Sequence, residues 1–297
     1  MEQFKNENKE NQERHISRIE LSFFRHGEKE KDDLKPDPDV VLTEVGRKQA
    51  VEKSKINGAK RIEQAVAYGS PRIRTQETAI FVMAGREEII TGKETLGELE
   101  EKIEKINKEG LTVCPSPAIK VDERLDFNFD GEFGKKAYDR LEKRDYLKFL
   151  VEESDELAEK LEDENASTYS RMASNIASIV DKYLNIAPKW GELIKSNDEF
   201  SKTLERFFCT HQGISESFLA KVIEKTKGIK ERDQFVQVLD NYGFNFTEGF
   251  NVEILSKDSE DPVIHISYKK EKDGEVVFEF NEDVSLKVIE NMIEVSA

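Results

Sequence analysis

Two histidines follow two apolar, strand-like runs, and a glycine stands close behind each of them. The first run, Ile19–Phe24, leads into Arg25–His26–Gly27–Glu28, and the second, Phe207–Thr210, leads into His211–Gln212–Gly213. The chain has only four histidines, so two in matching settings are informative. Ligands of α/β proteins bind beyond the carboxyl ends of parallel strands. We therefore expect both imidazoles to face one crevice.

A third turn adds positive charge to this expected crevice. The apolar segment Ile62–Tyr68 ends in Gly69–Arg74, which carries Arg72 and Arg74. In a chain with a net charge of −16, arginines that converge with histidines indicate an anion site. The planar guanidinium fork matches phosphate oxygens in pairs. Neighbouring guanidiniums also disfavour a charged imidazole, so we expect His26 to be neutral and able to attack phosphorus.

Four segments in this order resemble the histidine phosphatase superfamily, also called phosphoglycerate mutase-like. They are Arg25–His26–Gly27–Glu28, Leu42–Thr43–x–x–Gly46–x–x–Gln49–Ala50, Ser70–Pro71–x–x–Arg74–x–x–x–Thr78–Ala79 and Thr210–His211–x–Gly213. The resemblance covers roughly Arg18 to Gly213 and, more loosely, the terminal strands. Four motifs in the right order are a far stronger signal than a single tripeptide.

The resemblance implies a role for each matching residue. His26 matches the nucleophile that becomes phosphohistidine, and Arg25 and Arg74 match the two arginines that clamp the phosphoryl oxygens. His211 matches the second histidine, which donates a hydrogen bond to the transferring group. Such a site needs neither a metal nor another cofactor. The predicted substrate-binding residues are Arg25, Arg74, His211, Gln212 and Glu28.

The general acid of the family has no direct counterpart in this chain. One branch carries a glutamate shortly after an Arg–Leu pair, and aligning Arg124–Leu125 puts Phe127 in that place. The other branch carries an aspartate directly after the second histidine, where Gln212 stands. Glu123 and Asp126 are the nearest candidate acids. Either one of them is a displaced acid, or the chain is slow, or it needs substrates with good leaving groups.

Composition narrows the class of protein. The chain has 297 residues and a pI near 5.0, which argues against nucleic acid or an anionic membrane as a general partner. No run approaches the 18 apolar residues of a membrane span. Two cysteines indicate no disulfide framework, so we expect a cytoplasmic location. The polar stretch 1–17 is predicted to be a disordered tail.

The pattern along the chain predicts one α/β domain over residues 18–297. Strands that alternate with helices indicate a three-layer α/β/α sandwich with a mainly parallel sheet. Three alternating runs near the end, Phe250–Leu255, Val263–Tyr268 and Val276–Phe280, read as further strands. Residues 135–200 have a helical pattern and are predicted to form an insertion that caps the mouth of the active site.

The leading functional hypothesis is a metal-independent phosphatase that hydrolyses phosphomonoesters through a phosphohistidine on His26. Its partner would be a phosphorylated small molecule or a phosphoprotein. A first alternative is a catalytically weak module of the same fold that binds phospho-ligands. A phosphomutase is disfavoured, because Lys29–Asp33 lacks the Trp–Asn pair of such enzymes. A metal-dependent hydrolase is also disfavoured, because the sequence has no HxH or HExxH spacing. The sequence identifies neither the substrate nor the oligomeric state.

Overall fold

The computed structural model describes residues 17–31, 34–56, 65–85, 89–109, 119–196, 202–256 and 261–294. Within these residues, seven strands form one sheet. They are β1 (Ser17–Arg25), β2 (Val66–Gly69), β3 (Ile119–Val121), β4 (Thr203–Thr210), β5 (Gly249–Ser256), β6 (Val263–Lys272) and β7 (Glu275–Val284). Of the predicted tail, residues 1–16 lie outside the described part, and Ser17 begins β1.

The sheet has the order β3-β2-β4-β1-β5-β6-β7 and is mixed. The four strands β3, β2, β4 and β1 run parallel to one another, whereas β5, β6 and β7 are each antiparallel to the preceding strand in the sheet. Parallel neighbouring strands need long crossover connections, whereas antiparallel strands can be joined by a short turn. The turn between β6 and β7 spans only two residues, as an antiparallel pair allows. The α/β class is confirmed, and its parallel half contains the strands that carry the histidine and arginine motifs.

Ten α-helices occur in the described residues. They are α1 (Glu44–Ile56), α2 (Ile73–Ala84), α3 (Leu96–Glu109), α4 (Gly131–Glu142), α5 (Tyr146–Phe149), α6 (Asp155–Lys160), α7 (Tyr169–Ser196), α8 (Ile214–Lys227), α9 (Ile229–Val238) and α10 (Leu286–Glu294). None of the helices found in these ranges is long and apolar enough to cross a membrane.

The two faces of the sheet bury two separate cores. Successive side chains of a strand point to opposite faces, so Leu21 and Phe23 of β1 enter the larger core while Phe24 enters the smaller one. Helices α7 and α8 cover the larger core, and α1 and α2 cover the smaller one. This arrangement gives the three predicted layers.

The predicted cap over residues 135–200 divides into two parts. Helix α4 begins slightly earlier than expected and lies at the functional cavity described below. Helix α7, in contrast, packs on β1, β5 and α8. Its stripe of Met172, Ile176 and Val180 is buried against the sheet, because an apolar stripe of this length must be covered by another layer. Helix α7 therefore packs within the sandwich, and the cap over the mouth of the active site stays a prediction.

Candidate active site

Neighbouring parallel strands place the two histidines side by side. β1 and β4 pair with Arg25 opposite Thr210, and the His26 amide donates to the Thr210 carbonyl at 3.0 Å. The two imidazole rings follow directly, with centroids 5.4 Å apart and planes at 64°. Both rings are buried, with exposed fractions of 7% for His26 and 3% for His211. The prediction that both imidazoles face one crevice is confirmed.

The turn that carries His26 rests tightly on two helices. A Cβ on Gly27 would lie 2.6 Å from the Gly46 carbonyl oxygen, so only glycine allows this approach to α1. The Gly27 amide donates to the Thr78 hydroxyl of α2 at 3.1 Å. The Glu28 amide donates to Oε1 of Gln49 at 3.0 Å. The motif residues of α1 and α2 therefore fix the backbone around the imidazole.

The geometry of His26 leaves one ring nitrogen free to act as a nucleophile. Nδ1 lies 2.7 Å from the Gly27 carbonyl oxygen. Because a carbonyl only accepts, Nδ1 must carry the proton and Nε2 the lone pair. Burial lowers the pKa of His26 well below its usual value, and the positive charges of Arg25 and Arg74 lower it further. The ring is neutral at pH 7, as expected, although burial contributes more than the arginines.

Both predicted clamp arginines lie at this site. Arg25 donates from Nη1 to the Phe244 carbonyl at 2.6 Å, and its guanidinium carbon lies 4.7 Å from the centroid of the Phe246 ring. Arg74 is buried and donates from Nη1 to the Asp37 carbonyl at 2.8 Å and from Nη2 to Oδ2 of Asp37 at 3.0 Å. Asp37 therefore occupies the fork that the sequence assigned to phosphate.

Asp37 is a site residue that the sequence analysis missed. Besides Arg74, it accepts from Nζ of Lys29 at 2.9 Å and from Nη1 of Arg72. Partial burial raises the pKa of Asp37, but these cations outweigh it and hold the pKa well below its usual range. The residue opens a 3-10 helix, Asp37–Asp39. An anion already stands at the predicted phosphate clamp.

His211 contacts a hydroxyl and a carboxylate through one ring nitrogen. Its Nε2 lies 2.9 Å from the Ser70 hydroxyl and 3.4 Å from Oδ1 of Asp126. Burial lowers the pKa of His211 to about 4, although the neighbouring Asp126 opposes this shift. The ring is therefore neutral at pH 7.

Asp126 lies beside His211 but is held in its ionised form. Nε of Arg72 donates to Oδ1 of Asp126 at 2.7 Å. Burial raises the pKa of Asp126, yet the hydrogen bonds from His211 and Arg72 outweigh it and lower the pKa overall. A carboxylate that stays ionised at neutral pH is a poor proton donor.

The other predicted site residues divide between the cavity and the surface. Glu28 and Gln212 both line the cavity. Glu28 accepts a hydrogen bond from the Thr43 hydroxyl at 3.2 Å, and Gln212 donates to the Tyr242 carbonyl at 2.7 Å. Glu123 is exposed in a short 3-10 helix and does not line the cavity. The acid role considered for Glu123 stays a prediction, and this carboxylate lies outside the cavity lining.

The cavity has a volume of about 710 Å³ and two chemically different walls. One wall is polar and consists of Glu28, Lys29, Lys31, Asp37 and Thr43. The other is aromatic and aliphatic, and Phe246 also lines the cavity. No sequence motif indicated the aromatic wall, since its members come from separate segments. The residues of that wall are Phe127, Phe129, Tyr138 and Leu141.

A buried carboxylate supports the site from behind. Glu216 is fully buried in α8 and accepts hydrogen bonds from the Gly213 amide at 2.9 Å and the Phe244 amide at 2.8 Å. Burial raises the pKa of Glu216 to about 7. Because the Phe244 carbonyl holds Arg25, Glu216 links the second histidine turn to the first.

The fold and the paired histidines define an α/β protein with a buried, cation-lined site beyond parallel strand ends. Residues 21–109 match the family model of the histidine phosphatase superfamily (branch 1). The resemblance is confirmed over these residues, which contain three of the four motifs, whereas Thr210–Gly213 lies outside the match. No curated protein matches the chain.

Within the described residues, no group of three or more histidine, cysteine or acidic side chains could hold a metal ion.

Several solved structures resemble this chain at low sequence identity. "Mycobacterial hydrolase 2" is 16% identical, with a TM-score of 0.46 and coverage of 94% of this chain and 98% of that one. A mycobacterial glucosyl-3-phosphoglycerate phosphatase is 14% identical, with a TM-score of 0.41 and coverage of 80% and 90%. Phosphoserine phosphatase from Entamoeba histolytica, in complex with 3-phosphoglyceric acid, is 16% identical, with a TM-score of 0.37 and coverage of 91% and 99%.

Proposed function

We propose that this protein is a metal-independent phosphatase that hydrolyses phosphomonoesters through a phosphohistidine on His26. The observation that carries the proposal is the pair of buried, neutral imidazoles 5.4 Å apart, with Arg25 and Arg74 beside them. The lone pair on Nε2 of His26 supplies the nucleophile. The substrate would be a phosphorylated small molecule or a phosphoprotein. The match to the histidine phosphatase family over residues 21–109 supports this reaction class.

The two predicted clamp arginines each hold a buried nitrogen that could donate to the substrate. Nε of Arg25 and Nε of Arg74 have no hydrogen-bond partner within the described residues. Buried polar groups in folded proteins almost always have a partner. Phosphoryl oxygens would satisfy such groups, and positive charge aimed at them would stabilise the transition state. The substrate would also displace the Asp37 carboxylate from Arg74 or lie beside it.

The reaction would proceed in two displacements. In the first, Nε2 of His26 bonds to phosphorus while the bond from phosphorus to the ester oxygen breaks, and the leaving oxygen takes a proton. In the second, water attacks phosphorus and releases a proton to solvent, the P–N bond breaks with its electron pair returning to Nε2, and phosphate leaves. A positioned acid typically contributes ~10²–10⁴-fold to such a step. Asp126 is the nearest candidate, but His211 and Arg72 keep it ionised. Good leaving groups should therefore react best.

Hydrolysis of p-nitrophenyl phosphate tests the proposal, because its leaving group hardly needs a proton. We expect turnover that survives EDTA and a phosphoenzyme that is stable in alkali and labile in acid. His26→Ala should abolish both. His265→Ala is the matched control, since that ring pairs with Asp283 on the distant strand β7. Undiminished turnover in His26→Ala would refute the phosphohistidine, and loss of turnover with EDTA would favour a metal-dependent hydrolase.

A second candidate function is a binding module for phospho-ligands with little turnover. The ionised state of Asp126 favours it, because the site then has no ready proton donor. Equilibrium dialysis with vanadate or phosphate would separate the two candidates. Tight binding without hydrolysis of either nitrophenyl or alkyl esters would support the binding module. Binding together with hydrolysis of the nitrophenyl ester would support the phosphatase.

A further inference from the structure

A row of aromatic side chains runs from His211 to the mouth of the cavity. The Phe127 ring meets the His211 ring edge-on, with centroids 4.9 Å apart. Phe129 follows at 4.5 Å from Phe127, and Tyr138 at 5.5 Å from Phe129. Tyr138 is 52% exposed, so the row ends in solvent. These rings line one side of a path from the second histidine to the surface.

A further aromatic ring, Phe246, lines the cavity close to the first histidine. The centroid of the Phe246 ring lies 6.1 Å from that of His26, and the ring is 36% exposed. Leu141 adds aliphatic surface beside Tyr138 on the same helix, α4. A group held at His26 would therefore have apolar surface within reach from Phe246 as well as from the aromatic row. Such surfaces offer few hydrogen bonds to the hydroxyls of a sugar.

We infer that the cavity selects phosphomonoesters of aromatic alcohols, with the aryl ring seated between the Phe127–Phe129–Tyr138 row and Phe246. The inference rests on the proposed function, since it places the phosphoryl group at His26. Aromatic rings attract one another in offset and edge-on contacts beyond the gain from burial. Burial of the substrate ring would also remove apolar surface of Tyr138 and Phe246 from water.

The hydrogen bonds of the candidate acid Asp126 favour the same class of substrate. Asp126 is engaged by Nε of Arg72 at 2.7 Å and stands 3.4 Å from Nε2 of His211. A substrate whose leaving oxygen needs little protonation suits a site in which this carboxylate is engaged. Aryl oxides leave more readily than alkoxides. The walls and the chemistry of the cavity therefore favour the same esters for separate reasons.

Binding of phosphonates tests this inference apart from turnover, because their P–C bond resists hydrolysis. We compare benzylphosphonate with ethylphosphonate by calorimetry and use inorganic phosphate as the reference anion. Benzylphosphonate should bind about 10- to 100-fold more tightly than ethylphosphonate. Equal affinities of the two phosphonates would overturn the inference.

Two partly exposed aromatic side chains provide variants that should keep the fold. Tyr138→Ala and Phe246→Ala should each reduce the preference for benzylphosphonate by about 3- to 10-fold. Ile229→Ala is the matched control, because Ile229 is 61% exposed at the start of α9 and does not line the cavity. Thermal melts of all three variants check folding. A preference that survives both aromatic substitutions would overturn the inference.

The same measurements distinguish this inference from the proposed function. If phosphate and both phosphonates fail to bind, the phosphoryl site and the inference fall together. If phosphate binds and the benzyl group adds nothing, only the inference falls. Hydrolysis of phenyl phosphate but not of a phosphotyrosine peptide would indicate that the substrate is a small aryl phosphate. The reverse result would indicate a phosphotyrosine protein. Either result supports an aryl ester.

Discussion

The contact between Asp37 and Arg74 predicts that removal of one negative charge tightens the binding of phosphate. Arg74 donates from both terminal nitrogens to Asp37, at 2.8 Å to its carbonyl and at 3.0 Å to Oδ2. A bound phosphoryl group must displace the carboxylate or lie beside it. Asp37→Asn keeps the size and an acceptor oxygen but removes the charge. We therefore expect the variant to bind phosphate more tightly than the wild type does.

The size of this effect follows from the distance and the exposure of Asp37. Two unit charges about 4 Å apart interact by roughly 4 kcal/mol at an effective dielectric constant of about 20. The Asp37 side chain is 42% exposed, so solvent screens much of this repulsion. We expect about 1–2 kcal/mol to remain, which corresponds to ~5- to 30-fold in affinity.

Competition by phosphate or vanadate in the nitrophenyl phosphate assay measures this effect, and calorimetry measures it without turnover. Asp39→Asn is the matched control, because Asp39 is an exposed carboxylate in the same short helix. It should leave the inhibition constant of phosphate within about twofold. If Asp37→Asn instead weakens phosphate binding, then Asp37 orders the arginines rather than competes with the ligand, and the reasoning fails.

Three other predictions follow from the same geometry. Gly27→Ala should destabilise the protein by about 2–3 kcal/mol in urea unfolding, whereas Gly97→Ala, with no neighbour within 4 Å, should stabilise it slightly. The raised pKa of Glu216, from 4.5 to about 7, means that the folded state holds its proton more strongly. Stability from this group is complete below pH 4.5 and is lost as the pH rises to 7, by on the order of 3 kcal/mol. Glu216→Gln should remove this part of the pH dependence in melts from pH 4 to 8, and an unchanged profile would contradict the assignment. If Asp126 is the acid, Asp126→Asn should slow the hydrolysis of alkyl phosphates more than that of the nitrophenyl ester. The control Glu123→Gln should leave both rates within about twofold. Equal losses on the two esters in Asp126→Asn would argue against acid catalysis by Asp126.

The sequence could predict the parts of the site that follow strands directly. His26 and His211 each end a strongly apolar strand, and parallel strands bring their carboxyl ends together. Arg74 lies on the first turn of a helix after a third strand, so its position followed from the same rule. The features that were missed depend on tertiary contacts between distant loops. No local sequence pattern predicts that Asp37 contacts Arg74 or that Phe246 lies near His26.

Errors in the fold predictions have a similar origin. The stripe of Met172, Ile176 and Val180 identified a helix correctly, but the stripe alone could not say which layer it would cover. Helix α9 was not predicted, because its sequence is polar and only Phe235 and Val236 are buried. A helix with so few apolar residues gives too weak a periodicity to be recognised.

Because the two histidines meet only when β1 and β4 pair in the correct register, assembly of the site marks a late step of folding. The two imidazoles come from chain segments separated by most of the sequence, and they meet only when these two strands pair. Helices such as α7 contain local contacts and can form early, whereas pairing at this separation requires closure of a long loop. Recovery of catalysis during refolding should therefore lag behind recovery of helical circular dichroism. A shift of one residue in this pairing would move one imidazole by about 3.3 Å along the strand and turn it toward the opposite face of the sheet.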